Sequence, residues 1–173
     1  MNDNRRWYAL YTRPRFEAKT LDSLLKLGFE AYLPTYKTLR QWSDRKKMVT
    51  LPLFPSYCFV RIRPEEYYKP LAAYGVVRHI KFENVPVPLP DSDIETMRII
   101  CEGKMNFEVT KAVFEPGTPV IINQGSLKGL NGEFVRNSGK RKFLIRINAI
   151  NHGILVEINP NFVDSIPTKN QKS

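Results

Sequence analysis

The chain has 173 residues, 42% of them hydrophobic and 12% aromatic, with 27 Lys and Arg side chains against 17 Asp and Glu. This length holds one medium domain or two small ones, and the apolar content excludes wholesale disorder. The two cysteines, Cys58 and Cys101, provide neither a disulfide framework nor a metal-ligand spacing. No apolar run approaches the ~20 residues that span a bilayer, and no signal-peptide region follows Arg6, so we expect a cytoplasmic protein without membrane contacts.

The net charge of +10 is unevenly distributed along the chain. Residues 1–63 carry 13 basic and 5 acidic side chains, residues 64–110 carry 5 and 8, and residues 111–173 carry 9 and 4. A basic N-terminal part followed by an acidic segment favours one side that faces a polyanion, with nucleic acid as the default partner. Solvated surface charge is the alternative.

The first predicted elements are a strand over residues 7–11 and a helix that Pro14 opens and Gly28 ends. The apolar stripe of this helix consists of Ala18, Leu21, Leu24 and Leu25.

Basic residues mark two places on the same helix. Lys19 and Lys26 are seven residues apart and share one stripe, with Ser23 between them. Arg13 and Arg15 stand at the N-terminal end, where the helix dipole favours anions. An external phosphate would relieve that conflict, and simple exposure is an equally good explanation.

The next predicted feature is a hairpin, with a strand region over 31–39, a polar tip over 40–47 and a returning strand over 48–51. Four basic side chains at the tip can reach backbone phosphates: Arg40, Arg45, Lys46 and Lys47. Trp42 either stacks on an unpaired base or folds back over the hairpin, and for this residue alone we favour the second.

Pro52 and Pro55 predict a stiff, kinked connection into a strand over 57–63. Alternation directs Cys58, Val60 and Ile62 to the core, and Tyr57, Phe59, Arg61 and Arg63 to the other face. The rings of Phe54 and Tyr57 form either a core plug or a docking patch, and composition alone favours the plug.

A short helix over 64–71, a strand over 76–82, a proline-broken loop over 85–90 and a helix over 91–101 complete this half. The last helix has an apolar stripe of Ile94, Met97, Ile100 and Cys101. The order β-α-β-β-α-β-α predicts an α+β fold, a ferredoxin-like antiparallel sheet with helices on one side.

The remaining chain is predicted to be a small all-β domain. Residues 102–113 lose periodicity and form a linker. Five short strands follow, at 119–122, 132–135, 143–147, 154–158 and 162–163, with turns at 137–139 and 151–153. They indicate an SH3-like barrel over 114–167, followed by a polar tail at 168–173.

The residues of catalytic chemistry have no telling arrangement in this sequence. His79 and His152 have no partner acid at a suggestive spacing, and Cys58 alternates with core residues. The glycine-rich segment 125–132 fits neither a nucleotide nor a dinucleotide loop. We therefore expect neither an enzyme nor a cofactor or metal site.

Two separate motifs resemble the NusG family of transcription elongation factors. The NGN domain of that family is similar to Trp7-Tyr8, Phe16-Glu17, the segment Pro52-Leu53-Phe54-Pro55-Ser56-Tyr57-Cys58-Phe59-Val60 and Gly75-Val76, and its KOW motif is similar to residues 120–133. The Pro-Leu-Phe-Pro-x-Tyr form and residues 40–47 resemble the specialised RfaH-like antiterminators, in particular UpxY-type regulators of capsular polysaccharide operons. Two residues depart from the family pattern. Ser56 replaces a common glycine, which is tolerated if φ stays negative, and Ser126 replaces a common proline.

The resemblance implies an NGN domain over 5–101 that docks on the clamp helices of the largest RNA polymerase subunits through Tyr11, Phe54 and Tyr57. It implies contacts of Arg13, Lys19 and Lys26 with the non-template DNA strand, although Ser23 stands where RfaH has a recognition histidine. The KOW domain would recruit a ribosomal protein, a termination factor or another elongation factor.

The resulting hypothesis is a monomeric, operon-specific antiterminator that suppresses pausing and termination. A general NusG-type elongation factor and a free-standing RNA- or ribosome-binding KOW protein are the alternatives.

Overall fold

The computed structural model describes residues 4–103, 105–112, 116–137 and 140–166. The chain divides into two compact units, Met1–Cys101 and Glu102–Ser173. Neither of the two α-helices in the described residues is long and apolar enough to cross a bilayer.

The first unit is a mixed α/β arrangement. Its elements are β1 (Arg6–Thr12), α1 (Glu17–Lys26), β2 (Glu30–Tyr32), β3 (Thr35–Gln41), β4 (Lys46–Pro52), β5 (Tyr57–Ile62), 3₁₀ turns at Pro64–Glu66 and Lys69–Ala72, β6 (Val76–His79), β7 (Lys81–Phe82), β8 (Val85–Pro86), β9 (Pro88–Leu89) and α2 (Asp91–Glu102). The main sheet has the order β2-β5-β1-β6, with β9 also paired to β1, and all of its pairings are antiparallel.

One face of this sheet is covered by α1. The alternating side chains Tyr8, Leu10, Cys58, Val60 and Ile62 form a buried cluster with Leu24 of α1, as the period-2 pattern of β5 predicts. The predicted stripe of α1 is only half right, because Leu24 is buried whereas Ala18 and Leu25 are exposed. The helix begins at Glu17 and not at Pro14, because Arg15 has a φ of 66° and interrupts the first turn. Gly28 ends it at φ +84°, as expected.

The opposite face is in contact with α2, so the expectation of helices on one side of the sheet is wrong. The Arg98 guanidinium lies 5.1 Å from the centre of the Tyr32 ring, and an Asp91 oxygen lies 3.9 Å from an Arg61 nitrogen. Phe59 on this face is fully buried, although we expected it to point away from the core. Both faces of β5 carry apolar residues, so both need cover from water.

Short elements replace two predicted ones. The helix expected over 64–71 is a pair of 3₁₀ turns, and the loop expected over 85–90 contains β8 and β9. Prolines are tolerated in these two strands because they lie at sheet edges and have few ladder hydrogen bonds to lose. The stripe of α2 is as predicted, with Ile94, Met97 and Ile100 buried.

The second unit is built on a six-stranded antiparallel sheet. Its elements are β10 (Phe107–Thr110), β11 (Thr118–Ile122), β12 (Asn131–Asn137), β13 (Lys140–Ile147), a 3₁₀ turn at Asn148–Ile150, β14 (His152–Val156), a 3₁₀ turn at Pro160–Phe162 and β15 (Val163–Ser165). The strand order is β10-β14-β13-β12-β11-β15.

The predicted linker over 102–113 is wrong where β10 lies. The alternating side chains of Phe107 and Val109 are half-buried, and Val109 pairs with Ile154. The segment therefore adds a sixth strand that covers an edge of β14. Residues 138–139 of the first predicted turn and the tail at 168–173 lie outside the described residues. The second turn is found at Asn151, which has a φ of 53°.

Candidate functional surfaces

The proline-flanked connection before β5 turns inward. Phe54 is only 1% exposed, so the expectation that its ring emerges as a docking side chain is wrong. The Leu53 amide donates to the Pro34 carbonyl oxygen at 2.8 Å, and the Tyr57 amide donates to the Phe54 carbonyl oxygen at 3.2 Å. These two bonds fold the connection against its own unit. Phe54 is therefore a core residue and not part of any surface that Tyr57 forms.

Ser56 has a φ of 67°, so the condition under which serine is tolerated there, a negative φ, is not met. Two hydrogen bonds hold it there: its amide donates to Glu17 Oε1 at 2.7 Å, and its carbonyl oxygen accepts from the Thr12 amide at 2.8 Å. The left-handed region costs a residue with a Cβ roughly 1–2 kcal/mol. The buried Glu17 carboxylate therefore helps to stabilise a strained turn that sets the position of Tyr57.

Tyr57, Tyr11 and Arg78 form a row across three neighbouring strands, which we call the aromatic–arginine row. Tyr11 is the Cα partner of Tyr57 on one side and of Arg78 on the other. The two rings are half-buried, with centroids 5.8 Å apart at an interplanar angle of 84°. The exposed Arg78 guanidinium lies 5.1 Å from the Tyr11 ring centre. Burial, and then the neighbouring Tyr11, raise the pKa of Tyr57, so its hydroxyl stays protonated at neutral pH.

Such a row offers apolar area, hydroxyl groups and a positive charge at one place, which is the composition of protein-binding hot spots. The family resemblance implied Tyr11 and Tyr57 as docking residues, and Arg78 was not among the predicted residues. The charge of Arg78 favours an exposed side chain, but only the pairing of β6 with β1 places it beside Tyr11.

The basic residues around α1 have different local environments. Arg13 is exposed, and its amide donates to the Gly75 carbonyl oxygen at 2.9 Å. Lys19 Nζ lies 5.2 Å from the Phe16 ring centre, and Lys26 Nζ lies 2.7 Å from an oxygen of Asp22. All three side chains stay on the surface, but the charge of Lys26 is partly offset by its neighbour.

Ser23, at the position where RfaH has a recognition histidine, has a structural contact. Its Oγ accepts a hydrogen bond from the Tyr74 amide at 2.9 Å. The next residue, Gly75, has a φ of +88°, and a Cβ there would lie 2.4 Å from Thr20 Oγ1. Ser23 and this glycine thus attach the turn before β6 closely to α1.

The predicted hairpin is present, and its strands continue into the basic segment. β3 and β4 form a two-stranded sheet with Gln41 opposite Lys46, and the Trp42 amide donates to the Arg45 carbonyl oxygen at 2.8 Å to close the tip. The four predicted basic side chains Arg40, Arg45, Lys46 and Lys47 are exposed. Trp42 is 56% exposed, so our preference for a ring folded back over the hairpin is wrong.

Both histidines and Cys58 are structural, as the sequence indicates. His79 is buried, stacks on Tyr67 with centroids 3.9 Å apart and bonds to the Tyr67 carbonyl oxygen. Burial lowers the pKa of His79, so the imidazole is neutral at physiological pH. His152 bonds through Nδ1 to the Ile150 carbonyl oxygen at 2.6 Å. Burial raises the pKa of Cys58 to about 12, which leaves the thiol protonated and unreactive.

The glycine-rich segment of the second unit is explained by its backbone. Gly125 and Gly129 have φ values of +79° and +92°, and the Gly129 amide donates to the Ile122 carbonyl oxygen at 2.8 Å.

Arg146 donates two hydrogen bonds to Glu133, at 2.8 and 3.1 Å. Glu133 also accepts from the Gly117 amide at 2.8 Å, so this ion pair joins β12, β13 and the start of β11.

A partly exposed aromatic–arginine row and an exposed basic hairpin are features of a protein that binds macromolecules. The chain belongs to the NusG family, since residues 5–98 match the model of that family described as "Transcription termination factor nusG". Members of this family are transcription termination and antitermination factors that act with RNA polymerase and are not enzymes.

Individual relatives agree with this assignment. The chain is 23% identical over 145 residues to "Transcription termination/antitermination protein NusG" of Buchnera aphidicola subsp. Baizongia pistaciae (strain Bp), which covers 74% of this chain and 77% of the relative. The solved structure "Domain interaction in Thermotoga maritima NusG" covers 94% of this chain and 98% of its own at 19% identity, with a TM-score of 0.50. The fold is therefore a mixed α/β fold similar to that of NusG.

Proposed function

We propose that the chain is an operon-specific antiterminator of the RfaH-like, UpxY type, with an NGN domain over residues 5–101 and a KOW domain in the second unit. Two findings support this division: the family match ends at residue 98, and the boundary of the compact units falls after Cys101. We extend the proposed KOW domain from 114–167 to include β10, because β10 pairs with β14.

The proposed polymerase contact is the aromatic–arginine row, and this row is the observation that carries the proposal. Tyr11 and Tyr57 are half-buried, which leaves them ordered by their own unit and partly accessible to a partner. Arg78 adds a cation that suits acidic side chains on the clamp helices of the largest polymerase subunits. Phe54 is buried in the core and is not part of this contact.

The proposed mechanism is a bridge across the polymerase cleft. The NGN domain binds the closed clamp of the elongating enzyme more tightly than the open clamp of the paused enzyme. The elongating conformer is then stabilised by the difference between the two binding free energies. Pausing and termination fall because both require the clamp state that the protein disfavours.

The proposed DNA contacts are Arg13, Lys19 and Lys26 beside α1, together with the basic hairpin. The exposure of these side chains supports contacts with phosphates of the non-template strand. We do not assign base recognition to Ser23, whose Oγ accepts a backbone hydrogen bond that attaches the turn before β6 to α1. The second unit would recruit a ribosomal protein, a termination factor or another elongation factor.

The test is a pull-down of core RNA polymerase by the full chain and by Tyr11→Ala. We expect the variant to retain little polymerase while its tryptophan-monitored melt remains cooperative. Unchanged retention would contradict the proposed contact. Transcript profiling after deletion separates specific from general action: a few long operons change if the proposal is right, and most genes change if the protein is a general NusG factor.

A further inference from the structure

The first unit has a cavity of about 510 Å³ beside β6, which is an edge strand of the main sheet. The segment before β6 contributes Tyr67, Tyr68 and Leu71 to its lining, and the turn between β7 and β8 contributes Glu83 and Asn84. Ligand sites in proteins commonly enclose ~300–1,000 Å³. The cavity therefore has the size of a site for a small organic molecule.

Two polar side chains in the lining have unused hydrogen-bonding capacity. Tyr67 Oη and His79 Nδ1 are buried, and neither has a hydrogen-bond partner in the part of the chain that the structure describes. His79 Nε2 donates to the Tyr67 carbonyl oxygen, which can only accept, so the neutral ring leaves Nδ1 as an acceptor. The Tyr67 hydroxyl keeps its proton, because burial raises the pKa of Tyr67 to about 12. Since buried polar atoms are nearly always paired, these two atoms favour a ligand that carries hydroxyl groups.

The exposed part of the lining carries charges of both signs. Arg78 and Lys81 are exposed cations, and Glu83 is an exposed carboxylate. Within the described ranges, no salt bridge joins Glu83 to either cation. Two cations at one cavity suit a phosphate, to which a guanidinium presents parallel N–H donors. The carboxylate suits a group that donates N–H hydrogen bonds.

The same lining includes exposed apolar and aromatic surface. Tyr68 is 71% exposed and Val77 is 52% exposed, and Leu71 is partly exposed as well. An exposed tyrosine ring offers a face on which a planar base can stack. A phosphate attached to a planar heterocycle therefore fits this lining better than inorganic phosphate does.

The turn that carries Glu83 has a strained backbone. Glu83 and Asn84 have φ values of 48° and 64°, in the left-handed region. Asparagine is common at such positions in tight hairpin turns, whereas glutamate is not. Strain of this kind is concentrated at functional positions. It favours a role for the Glu83 carboxylate in binding over a role in forming the turn.

We propose that the cavity binds a guanine mononucleotide. Arg78 and Lys81 contact the phosphate, and Glu83 accepts hydrogen bonds from N1–H and N2–H of the base. Guanine suits this carboxylate because, among the four common bases, it alone presents two adjacent N–H donor groups on its pairing edge. The base stacks on Tyr68.

The ribose connects the nucleotide to the buried polar atoms. Its hydroxyls donate to His79 Nδ1 and accept from Tyr67 Oη, directly or through one bridging water. Arg78 also belongs to the aromatic–arginine row, so a bound nucleotide competes with polymerase for this side chain. The cavity is then a regulatory site, and this consequence rests on the proposed function, whereas nucleotide binding itself does not.

The test measures binding of GMP to the full chain by isothermal titration calorimetry, with AMP, CMP, UMP, guanosine and inorganic phosphate as comparisons. We expect GMP to bind most tightly, and guanosine and phosphate to bind about 10-fold more weakly or worse, because each lacks one set of contacts. Lys81→Gln should weaken GMP binding by about 10-fold. Glu83→Gln should remove the preference for GMP over AMP. Lys37→Gln and Glu65→Gln are matched controls at exposed positions outside the cavity and should bind GMP as wild type does.

Tyr67→Phe distinguishes a ligand-binding hydroxyl from a structural one. The variant removes a hydroxyl without a partner in the described residues, so the chain without nucleotide should melt at the wild-type temperature or above it. Its affinity for GMP should fall. A structural hydroxyl would give the opposite pair of results, a lower melting temperature with unchanged GMP affinity, and that outcome would overturn the inference.

Three other outcomes would also overturn it. One is the absence of GMP binding, and another is binding of inorganic phosphate as tight as that of GMP, which would mean an adventitious ion only. The third is a single-stranded oligonucleotide that binds more tightly than GMP and loses this affinity in Lys81→Gln, which would assign the cavity to nucleic acid.

A pull-down of core polymerase with and without GMP tests the regulatory consequence. We expect GMP to reduce polymerase retention by wild type, and retention that GMP leaves unchanged would overturn the regulatory role. Calorimetric binding of GMP by a chain that retains no polymerase would contradict the proposed function and support the nucleotide site. Polymerase retention by a chain that binds no GMP would do the reverse.

Discussion

Replacing Glu17 by Ala should destabilise the first unit and move Tyr57. The Glu17 carboxylate is buried and accepts the Ser56 amide at 2.7 Å, in a turn where Ser56 already has a strained φ of 67°. Removing the acceptor leaves that amide without its partner. A hydrogen bond to a charged group contributes ~1.5–3 kcal/mol, so we expect a loss of about 2 kcal/mol in the free energy of unfolding. For a unit of this size, that loss lowers Tm by roughly 10 °C.

Tryptophan fluorescence isolates this effect, because Trp7 and Trp42 both lie in the first unit. Glu17→Gln is the matched control, since it keeps an oxygen acceptor and should lose less than half as much stability. Glu65→Ala removes an exposed carboxylate from the same unit and should change little. A Glu17→Ala chain that melts at the wild-type temperature would refute the view that this hydrogen bond maintains the strained turn.

Three further predictions concern other contacts. Ser56→Gly should raise the free energy of unfolding of the first unit by up to about 1 kcal/mol in denaturant titration, because glycine tolerates positive φ; a loss would mean that the turn is not strained. Phe54→Ala should lower the free energy of unfolding of the first unit by about 3–5 kcal/mol, and a cooperative melt like that of wild type would mean that the ring lies on the surface. The Arg146 guanidinium lowers the pKa of Glu133, so the stability that this pair gives the second unit is present above the ordinary glutamate pKa and is lost as pH falls through the lowered one. Glu133→Gln should flatten that acid-side slope in circular dichroism melts, and an unchanged slope would contradict it.

Local sequence patterns predicted most of the helices and strands, but they did not predict which elements pack against each face of the sheet. Alternation in β5 identified Cys58, Val60 and Ile62 as core, and Gly28 marked the end of α1. Alternation did not reveal that Phe59 is buried too, because the second cover comes from α2, far along the chain. β10 was missed because four residues carry a weak period-2 signal, and only its pairing with β14 makes it a strand.

The candidate surfaces show the same division between local and long-range information. Composition favoured a core position for Phe54, and the family resemblance moved it wrongly to the surface. Arg78 was missed because its proximity to Tyr11 depends on the register of β6 against β1. The charges of the β3–β4 hairpin were predicted from sequence, whereas the exposure of Trp42 depends on how the tip of the hairpin closes.

The central claim is that the aromatic–arginine row binds RNA polymerase. Its most direct test measures the equilibrium affinity of the full chain for core polymerase after charge reversal at Arg78. Arg98 is a matched control, because it is also exposed and also lies 5.1 Å from a tyrosine ring centre, that of Tyr32 beside α2. We predict that Arg78→Glu weakens binding by about 10-fold or more, as loss of a hot-spot cation does, while Arg98→Glu binds like wild type. Equal affinities for Arg78→Glu and wild type, or equal losses in both variants, would contradict the account.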